Sequence, residues 1–272
     1  MIVGNLVLPE GKYCSDWDAY PKAASRIMFL AETGSSVYGT SSADGGDLDY
    51  LGISLMPANE VLGLRPFSSL VWRTAENGER SKAGDIDLSI HSLHKFVELA
   101  SAGNPSILVS LFTPPERMYS TRSGDELLKF SDNFVTKSAG RRFLGYMDAQ
   151  RKRMEDSRAG LRAPRSNRPE LVAQFGYDTK FAMHMLRLGI QGCEFLTEGR
   201  ITLPIPGADG EMLRAVRAGR YSYKEIMSVA IDLEEELRET LDSADVPEHA
   251  DWQKVNDFLT RVHIEAWFDG AL

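Results

Sequence analysis

Two short motifs near the N-terminus carry residue types that could do chemistry. Gly34-Ser35 has the composition of a tight turn, and Asp47-Leu48-Asp49 follows it after a short polar stretch. Glycine lets backbone N–H groups approach an anion closely, and the serine hydroxyl adds a donor, so the turn can hold a phosphate. The two aspartates can hold metal ions beside that phosphate. This combination is what two-metal phosphoryl transfer requires.

The two aspartates should act together. In a β-strand alternate side chains share a face, so Asp47 and Asp49 point one way while Leu48 and Tyr50 point the other. Two carboxylates on one face repel each other unless cations or hydrogen-bond donors compensate their charge. Two Mg²⁺ ions about 3.5–4 Å apart would do so, with Mn²⁺ as the alternative ion. The competing interpretation is a solvated acidic strand edge next to an ordinary turn.

A third carboxylate is expected on a neighbouring strand. The run Asp85-Ile86-Asp87-Leu88-Ser89-Ile90 alternates polar and apolar residues, which is typical of a strand with one buried face. Asp85 and Asp87 would share the polar face, and geometry alone does not choose between them.

The sequence predicts that strands and helices of an α+β protein position these residues. Over residues 1–115 the sequence predicts a small mixed β-sheet with flanking helices, ending at the break Thr113-Pro114-Pro115. Ser92 is expected to cap the first helix after the sheet, and Pro105 to open the next one. The predicted strands cover residues 26–31, 47–55, 68–74 and 85–91.

Residues 116–272 are predicted to form a mainly helical domain that completes the cleft. Ser222 and Glu225 have the spacing of a capping box, and residues 201–206 have the prolines of a short edge or loop strand. The predicted helices cover residues 124–130, 133–153, 169–188, 223–241 and 246–268.

Longer runs around these motifs resemble a known family. Gly34-Ser35, Asp47-x-Asp49 and a later aspartate are similar to the DNA polymerase beta-like nucleotidyltransferase superfamily. Further runs resemble its RNA repair pathway DNA polymerase beta family, whose members are predicted nucleotidyltransferases. These runs are 38–40, 47–53 with Pro57, 87–96, 103–106 and 177–188, within a similarity that spans roughly 31–241.

The resemblance implies a magnesium-dependent transfer of a nucleoside monophosphate from an NTP such as ATP, with release of pyrophosphate. It selects Asp87 over Asp85, so that Asp47, Asp49 and Asp87 would be the catalytic metal ligands. Asp44-Gly45-Gly46 departs from the serine that the family often has before the first aspartate, but this removes no metal ligand. The residues implied to bind the nucleotide are Gly34, Ser35, Tyr38, Thr40, Lys180, His184 and Arg187.

Lys180, His184 and Arg187 fall at positions i, i+4 and i+7, which share one helix face. We interpret this as a phosphate-binding face, because lysine and arginine suit phosphate as a point charge and a fork. The alternative is a solvated basic face with a histidine at the edge of the core.

A second basic feature is the segment 151–168, which could hold an RNA backbone. A solvated loop is the alternative. Its basic residues are Arg151, Lys152, Arg153, Arg158, Arg162, Arg165 and Arg168, against Glu155 and Asp156.

The acceptor of the nucleotide stays open among several classes. An RNA end, as in tRNA repair or modification, is suggested by the family name and the basic segment. A protein or small-molecule acceptor would suit the net charge of −8, which argues against a protein that coats nucleic acid non-specifically. A non-catalytic nucleotide or RNA sensor would be expected to lack a carboxylate, and this chain retains all three candidates.

Composition sets the remaining limits. With 43% apolar and 26% charged residues the chain should pack as a globular protein, and no apolar run approaches the roughly 18 residues that a membrane span needs. Cys14 and Cys193 form no metal-spaced cluster, so we expect free thiols in a reducing cytoplasm. The sequence does not indicate an oligomeric state.

Overall fold

A six-stranded mixed β-sheet organises the N-terminal part of the computed structural model, which describes residues 2–41, 45–160 and 168–268. The strand order is β3-β6-β7-β5-β4-β8, and a separate hairpin pairs β1 with β2. Only β5 and β7 run parallel among the strand neighbours of the described residues. The strands are β1 Ile2–Val3, β2 Leu6–Val7, β3 Tyr13–Cys14, β4 Ile27–Thr33, β5 Leu48–Ser54, β6 Ser69–Arg73, β7 Ile86–Ser92 and β8 Met118–Ser120.

The two faces of the sheet pack against different layers. The alternation predicted for β7 is present: Ile86, Leu88 and Ile90 lie in a core with Trp72 and helix α1 (Tyr20–Ser25). The opposite face carries Leu51 and Ile53 of β5, which belong to the larger core shared with the helices. Asp49 lies on this second face, two residues before Leu51, so the predicted site opens toward the helical half.

The rest of the chain is mainly helical, as predicted. Ser92 caps α4, Pro105 opens α5, and Ser222 and Glu225 form the expected capping box at α11. The helices are α2 Ser35–Tyr38, α3 Ala58–Leu62, α4 Leu93–Ser101, α5 Pro105–Leu108, α6 Arg122–Phe130, α7 Lys137–Arg158, α8 Pro169–Phe175, α9 Thr179–Glu198, α10 Gly207–Arg217, α11 Tyr223–Ser243 and α12 Trp252–Phe268.

Two expectations for the helical half are wrong, and the last helix begins at Trp252 and not at residue 246. The single helix predicted over 169–188 is two helices, because Gly176 adopts φ +80° and ends α8, while Asp178 caps a new helix by accepting from the backbone of Lys180 and Phe181. Residues 201–206 form no strand; the Ile205 N–H instead donates to the Tyr38 carbonyl.

The α+β class with a mixed sheet, flanking helices and a helical C-terminal region is confirmed. The predicted division at residue 115 stays a prediction. Strand β8 lies beyond that point and pairs with β4, and one hydrophobic core contains Phe29 from the sheet and Phe143 from α7. Among the described residues, no helix is both long enough and apolar enough to cross a membrane.

Candidate active site

Three carboxylates meet at the ends of the two parallel strands. Asp47 immediately precedes β5, Asp49 lies on β5, and Asp87 on β7 is the register partner of Asp49. One oxygen from each of the three lies within 4.8 Å of the others, and none of the three is fully buried. The arrangement concentrates negative charge at a point that solvent can reach.

Asp85 lies outside this cluster. Strand β7 begins only at Ile86, and the Asp85 carboxylate accepts hydrogen bonds from Thr74 Oγ1 (2.8 Å) and the Lys82 backbone N–H (2.7 Å). The Lys82 backbone donor, with the Thr74 hydroxyl, lowers the pKa of Asp85. This residue therefore closes the turn before β7.

Asp49 is the carboxylate most perturbed by the cluster. Burial, together with the charges of Asp47 and Asp87, raises its pKa to about 6, while Lys180 and Arg73 act in the opposite direction. A carboxylate in this situation is stabilised by a cation. Three hard oxygen donors close together suit Mg²⁺ or Mn²⁺, so the residues present fit the divalent ions that the sequence predicts.

Asp87 has two partners that sequence reasoning missed. Arg73 Nε donates to its Oδ1 at 2.9 Å, and Ser81 Oγ lies 2.9 Å from both carboxylate oxygens. Arg73 also donates to Ser81 Oγ and to the Glu79 carbonyl, which ties the loop between β6 and β7 to the site. Neither residue stands in a local motif, so the sequence offered no signal for them.

The Gly34-Ser35 turn lies directly beside Asp49. Thr33 at the end of β4 is the register partner of Asp49, and Gly34 then adopts φ +79°. A Cβ atom at Gly34 would lie 2.2 Å from Asp49 Oδ2, so only glycine fits both the backbone and the space.

Ser35 and Thr40 at the two ends of this turn line the adjoining cleft. The Thr40 N–H donates to the Ser35 carbonyl at 2.9 Å. The Thr40 side chain is completely buried, and its hydroxyl oxygen has no hydrogen-bond partner among the described residues. A polar group in that position is expected to find a partner when a ligand fills the cleft.

The cleft has a volume of about 320 Å³ and two electrostatically different sides. Asp47 and Asp87 line the sheet side, and Lys180 lines the helical side with two further cations. A larger cavity of about 420 Å³ lies near Met28 at the other end of β4 and contains none of the predicted site residues. The positively charged residues that line the cleft are Arg73, Arg80, Lys82, Arg168, Lys180 and Arg217.

Lys180, Arg168 and Arg217 form the basic side of the cleft. Burial and the charges of Arg168 and Arg217 lower the pKa of Lys180, although Asp47 and Asp49 partly offset this. Arg168 donates to the fully buried carboxylate of Asp178 at 3.2 Å. Arg217 is a cleft residue that the sequence did not indicate, because α10 reaches α9 only through tertiary packing.

A comparison with protein families decides which family the chain belongs to. Residues 18–261 match the model of the RNA repair pathway DNA polymerase beta family. The chain belongs to this family. Membership confirms the resemblance seen in the sequence.

Individual relatives of this family member are distant. The chain is 31% identical over 120 residues to an uncharacterized 38.9 kDa protein in the nrdC-mobD intergenic region of Enterobacteria phage T4. That match covers 43% of this chain and 35% of the phage protein, about a third of its length. A nucleotidyltransferase-like protein from Exiguobacterium sibiricum 255-15 is 12% identical with a TM-score of 0.29, over 90% of this chain and 77% of the other.

In this member of the family, the predicted face of Lys180, His184 and Arg187 reaches the cleft only at Lys180. Burial, with the charges of Arg187 and Lys180, holds the pKa of His184 well below its usual range. Arg187 is buried in the core with its guanidinium carbon 4.2 Å from the centroid of the Tyr38 ring. The helical spacing is as predicted, but α9 is buried along most of its length, so the face runs from the cleft into the core.

Three arginines in the described part of the basic segment contact other residues of the protein. Arg151 pairs with Glu234 at 2.7 Å, and the Arg158 guanidinium lies 4.1 Å from the centroid of the Tyr223 ring. Arg168 lines the cleft. Arg162 and Arg165 lie outside the described residues.

Proposed function

We propose that this protein is a divalent-metal-dependent nucleotidyltransferase that transfers a nucleoside monophosphate from an NTP to an RNA end. The oxygen of an acceptor hydroxyl attacks the α-phosphorus, the bond from that phosphorus to the bridging oxygen breaks, and pyrophosphate leaves. The observation that supports the proposal is the approach of three carboxylates to one another beside the Gly34-Ser35 turn.

Asp47, Asp49 and Asp87 would hold the metal. When bound, Mg²⁺, or Mn²⁺ in its place, would lower the pKa of the attacking hydroxyl and neutralise charge on the phosphates. The raised pKa of Asp49 supports this assignment, because burial and the neighbouring carboxylates leave its charge uncompensated.

The chain's own residues bind and orient the triphosphate. Backbone N–H groups at Gly34 and Ser35, with the Ser35 hydroxyl, bind the β- and γ-phosphates. Lys180, Arg168 and Arg217 repel one another, and an anion between them removes that repulsion. Asp87 accepts the proton of the attacking hydroxyl.

The family description and the cations of the cleft favour an RNA end as the acceptor. The family is described by its role in an RNA repair pathway. The cleft also concentrates cations, although the chain as a whole has a net charge of −8. Lys82, the residue after Ser81, lines the same cleft as Asp87, and it could bind a phosphate that adjoins the attacking hydroxyl. A protein or a small molecule as acceptor would not need these charges.

The transfer itself is the first test. The protein is incubated with each of the four NTPs labelled at the α-phosphate, beginning with ATP, in Mg²⁺ and in Mn²⁺. The acceptors are RNAs with defined 5′ and 3′ ends, free nucleosides and a test protein. We expect label on RNA, none with Asp47→Asn, and unchanged transfer with Asp257→Asn on α12, which makes the same charge change outside the cleft. Label on no acceptor would disprove the function.

The salt dependence of RNA binding tests the acceptor class separately. Each phosphate that a cleft cation contacts should steepen the fall in RNA affinity as salt rises. For single strands, the slope of log affinity against log salt concentration changes by about −0.7 per contact. If the protein binds no RNA even at low salt but transfers the nucleotide to another acceptor, the RNA acceptor is wrong and the nucleotidyltransferase function stands.

A further inference from the structure

A buried arginine lies beneath the turn that would bind the nucleotide. Arg187 on α9 is only 7% exposed, and its guanidinium lies over the Tyr38 ring at 4.2 Å. Its Nη1 donates to Gln191 Oε1 at 2.5 Å. A guanidinium over an aromatic ring is a cation–π contact, which is strongest where water is excluded.

Fold stability does not explain this arginine. Within residues 2–41, 45–160 and 168–268 no carboxylate pairs with it, and its Nε has no hydrogen-bond partner. The amide nitrogen of Gln191 likewise has no partner in the described part of the chain. Burial lowers the pKa of Arg187, which reports the penalty of keeping a charge in the core. A hydrophobic side chain of similar volume would avoid that penalty.

Tyr38 connects this buried charge to the turn. It is the last residue of α2, the short helix that begins directly after Gly34. Its carbonyl accepts from the Ile205 N–H at 3.3 Å, and the carbonyl of Gly39 accepts from Arg214 Nη1 at 3.4 Å. Of these contacts between the helical half and the turn, the one made by Arg187 involves the Tyr38 ring.

We propose that Arg187 is a positioning residue that acts through the Tyr38 ring to hold the Gly34–Thr40 turn in the conformation that binds the triphosphate. The proposal rests on the nucleotidyltransferase function. It assigns to Arg187 an indirect role, because the side chain is buried and does not line the cleft. The buried charge then costs the fold stability, and its benefit is tighter binding of the triphosphate.

Paired variants test the contact. Arg187→Met removes the charge and keeps the length, and Tyr38→Leu removes the ring. Each should weaken binding of an NTP analogue with a non-hydrolysable α–β bridge by about 10- to 30-fold, the range of a desolvated cation–π contact. The double variant should bind no more weakly than the weaker single variant, since both remove one contact. Arg187→Lys and Tyr38→Phe, which keep a cation and a ring, should restore most of the affinity.

A second measurement separates positioning from a structural role. Arg187→Met should unfold at the same or a higher temperature than the wild type, yet amide hydrogen exchange should accelerate over residues 34–40. Arg122→Met, which removes an exposed arginine at the other end of the sheet, should change neither quantity. A lower unfolding temperature that Arg187→Lys fails to restore would overturn the proposal, as would unchanged exchange over 34–40.

The two proposals fail in different ways. If the wild type binds no NTP but Arg187→Met still accelerates exchange over residues 34–40, the nucleotidyltransferase function fails while the coupling between Arg187 and the turn stands. If the wild type binds NTP and Arg187→Met binds it equally well, the positioning role fails while the function stands.

Discussion

Arg73 and Asp87 are register partners on adjacent antiparallel strands, and Arg73 Nε donates to Asp87 Oδ1 over 2.9 Å. The pair places a fixed positive charge of the chain against one of the three carboxylates that would bind metal. Both side chains are partly shielded from solvent, with exposed fractions of 18% and 25%. The arginine therefore competes electrostatically with any cation that approaches Asp87.

Removing this arginine should tighten metal binding. We expect Arg73→Met to bind Mn²⁺ about tenfold more tightly than the wild type, because a like charge a few ångströms from the ion is lost. Titration followed by electron paramagnetic resonance of free Mn²⁺ measures the change. Arg122→Met, with the same change in net charge, should leave the affinity unaltered. Weaker binding by Arg73→Met would contradict the competition and would mean that Arg73 orients Asp87 for the metal.

The pKa of Asp49 predicts how the metal-free protein responds to pH. The pKa rises from an ordinary value of 3.8 to about 6 in the folded state. The folded state therefore holds this proton more tightly, so Asp49 contributes stability that is present below pH 4 and is lost as the pH rises through 6. At pH 7.5 without metal, Asp49→Asn should be more stable than the wild type by on the order of 2 kcal/mol.

Urea unfolding in a chelator at pH 7.5 and at pH 4 measures this difference. The advantage of Asp49→Asn should be largely lost at pH 4, where Asp49 is protonated in the folded state and partly protonated in the unfolded state. Asp257→Asn, whose carboxylate accepts from Gln253 on the surface, should unfold like the wild type at both values. An advantage of equal size at both pH values would show that repulsion among the carboxylates is not its origin. Protonation of Asp49 should also reduce the affinity for Mn²⁺ below about pH 6.

Local patterns were enough for the sheet side of the site. Asp47 immediately precedes the strand that carries Asp49, and Gly34 directly follows the strand beside it, so short-range alternation and turn chemistry predict their approach. The alternating pattern does not distinguish Asp85 from Asp87, because the distinction depends on where β7 begins. Thr74 and Lys82 bind Asp85 before the strand starts, and neither contact is visible in an alternating sequence.

Tertiary packing decided what the sequence missed on the helical side. The spacing of Lys180 and Arg187 correctly placed them on one helix face, but spacing says nothing about whether that face meets solvent, a cleft or the core. Arg217 reaches the cleft because α10 packs on α9, a long-range contact without a local signal. Glycine is common just after a helix end, as at Gly176, but the apolar residues on both sides of it favour one continuous helix.

The two aspartates of β7 can be separated by experiment. We expect Asp87→Asn to reduce nucleotidyl transfer at least 100-fold and to weaken Mn²⁺ binding, because a ligand carboxylate becomes a neutral amide. Asp85→Asn should keep transfer within about threefold of the wild type and lower the unfolding temperature only slightly, since the amide oxygen can still accept one of the hydrogen bonds. Steady-state rates and thermal unfolding of both variants check this. A larger loss with Asp85→Asn would assign the third carboxylate to Asp85.

Gly34 combines a positive φ with a close approach to Asp49, one of the candidate metal ligands. Gly34 and Gly78 both adopt a positive φ, +79° and +85°, so an alanine at either position is strained by about 1 kcal/mol or more. Their surroundings differ: a Cβ at Gly34 would lie 2.2 Å from Asp49 Oδ2, whereas at Gly78 no atom lies within 4 Å. Gly78→Ala is therefore a control for an alanine at positive φ without a neighbouring atom.

Gly34→Ala should lose at least tenfold in Mn²⁺ affinity and at least 100-fold in nucleotidyl transfer, because Asp49 must move away from Asp47 and Asp87. Gly78→Ala should lose a comparable amount of stability and keep both activities. Isothermal titration with Mn²⁺, urea unfolding and transfer rates distinguish the two variants. If both lose metal binding equally, backbone strain in the metal-free fold is responsible and the contact with Asp49 is not. If neither does, Asp49 can shift without consequence, and the position of its carboxylate beside the turn is not what binds the ion.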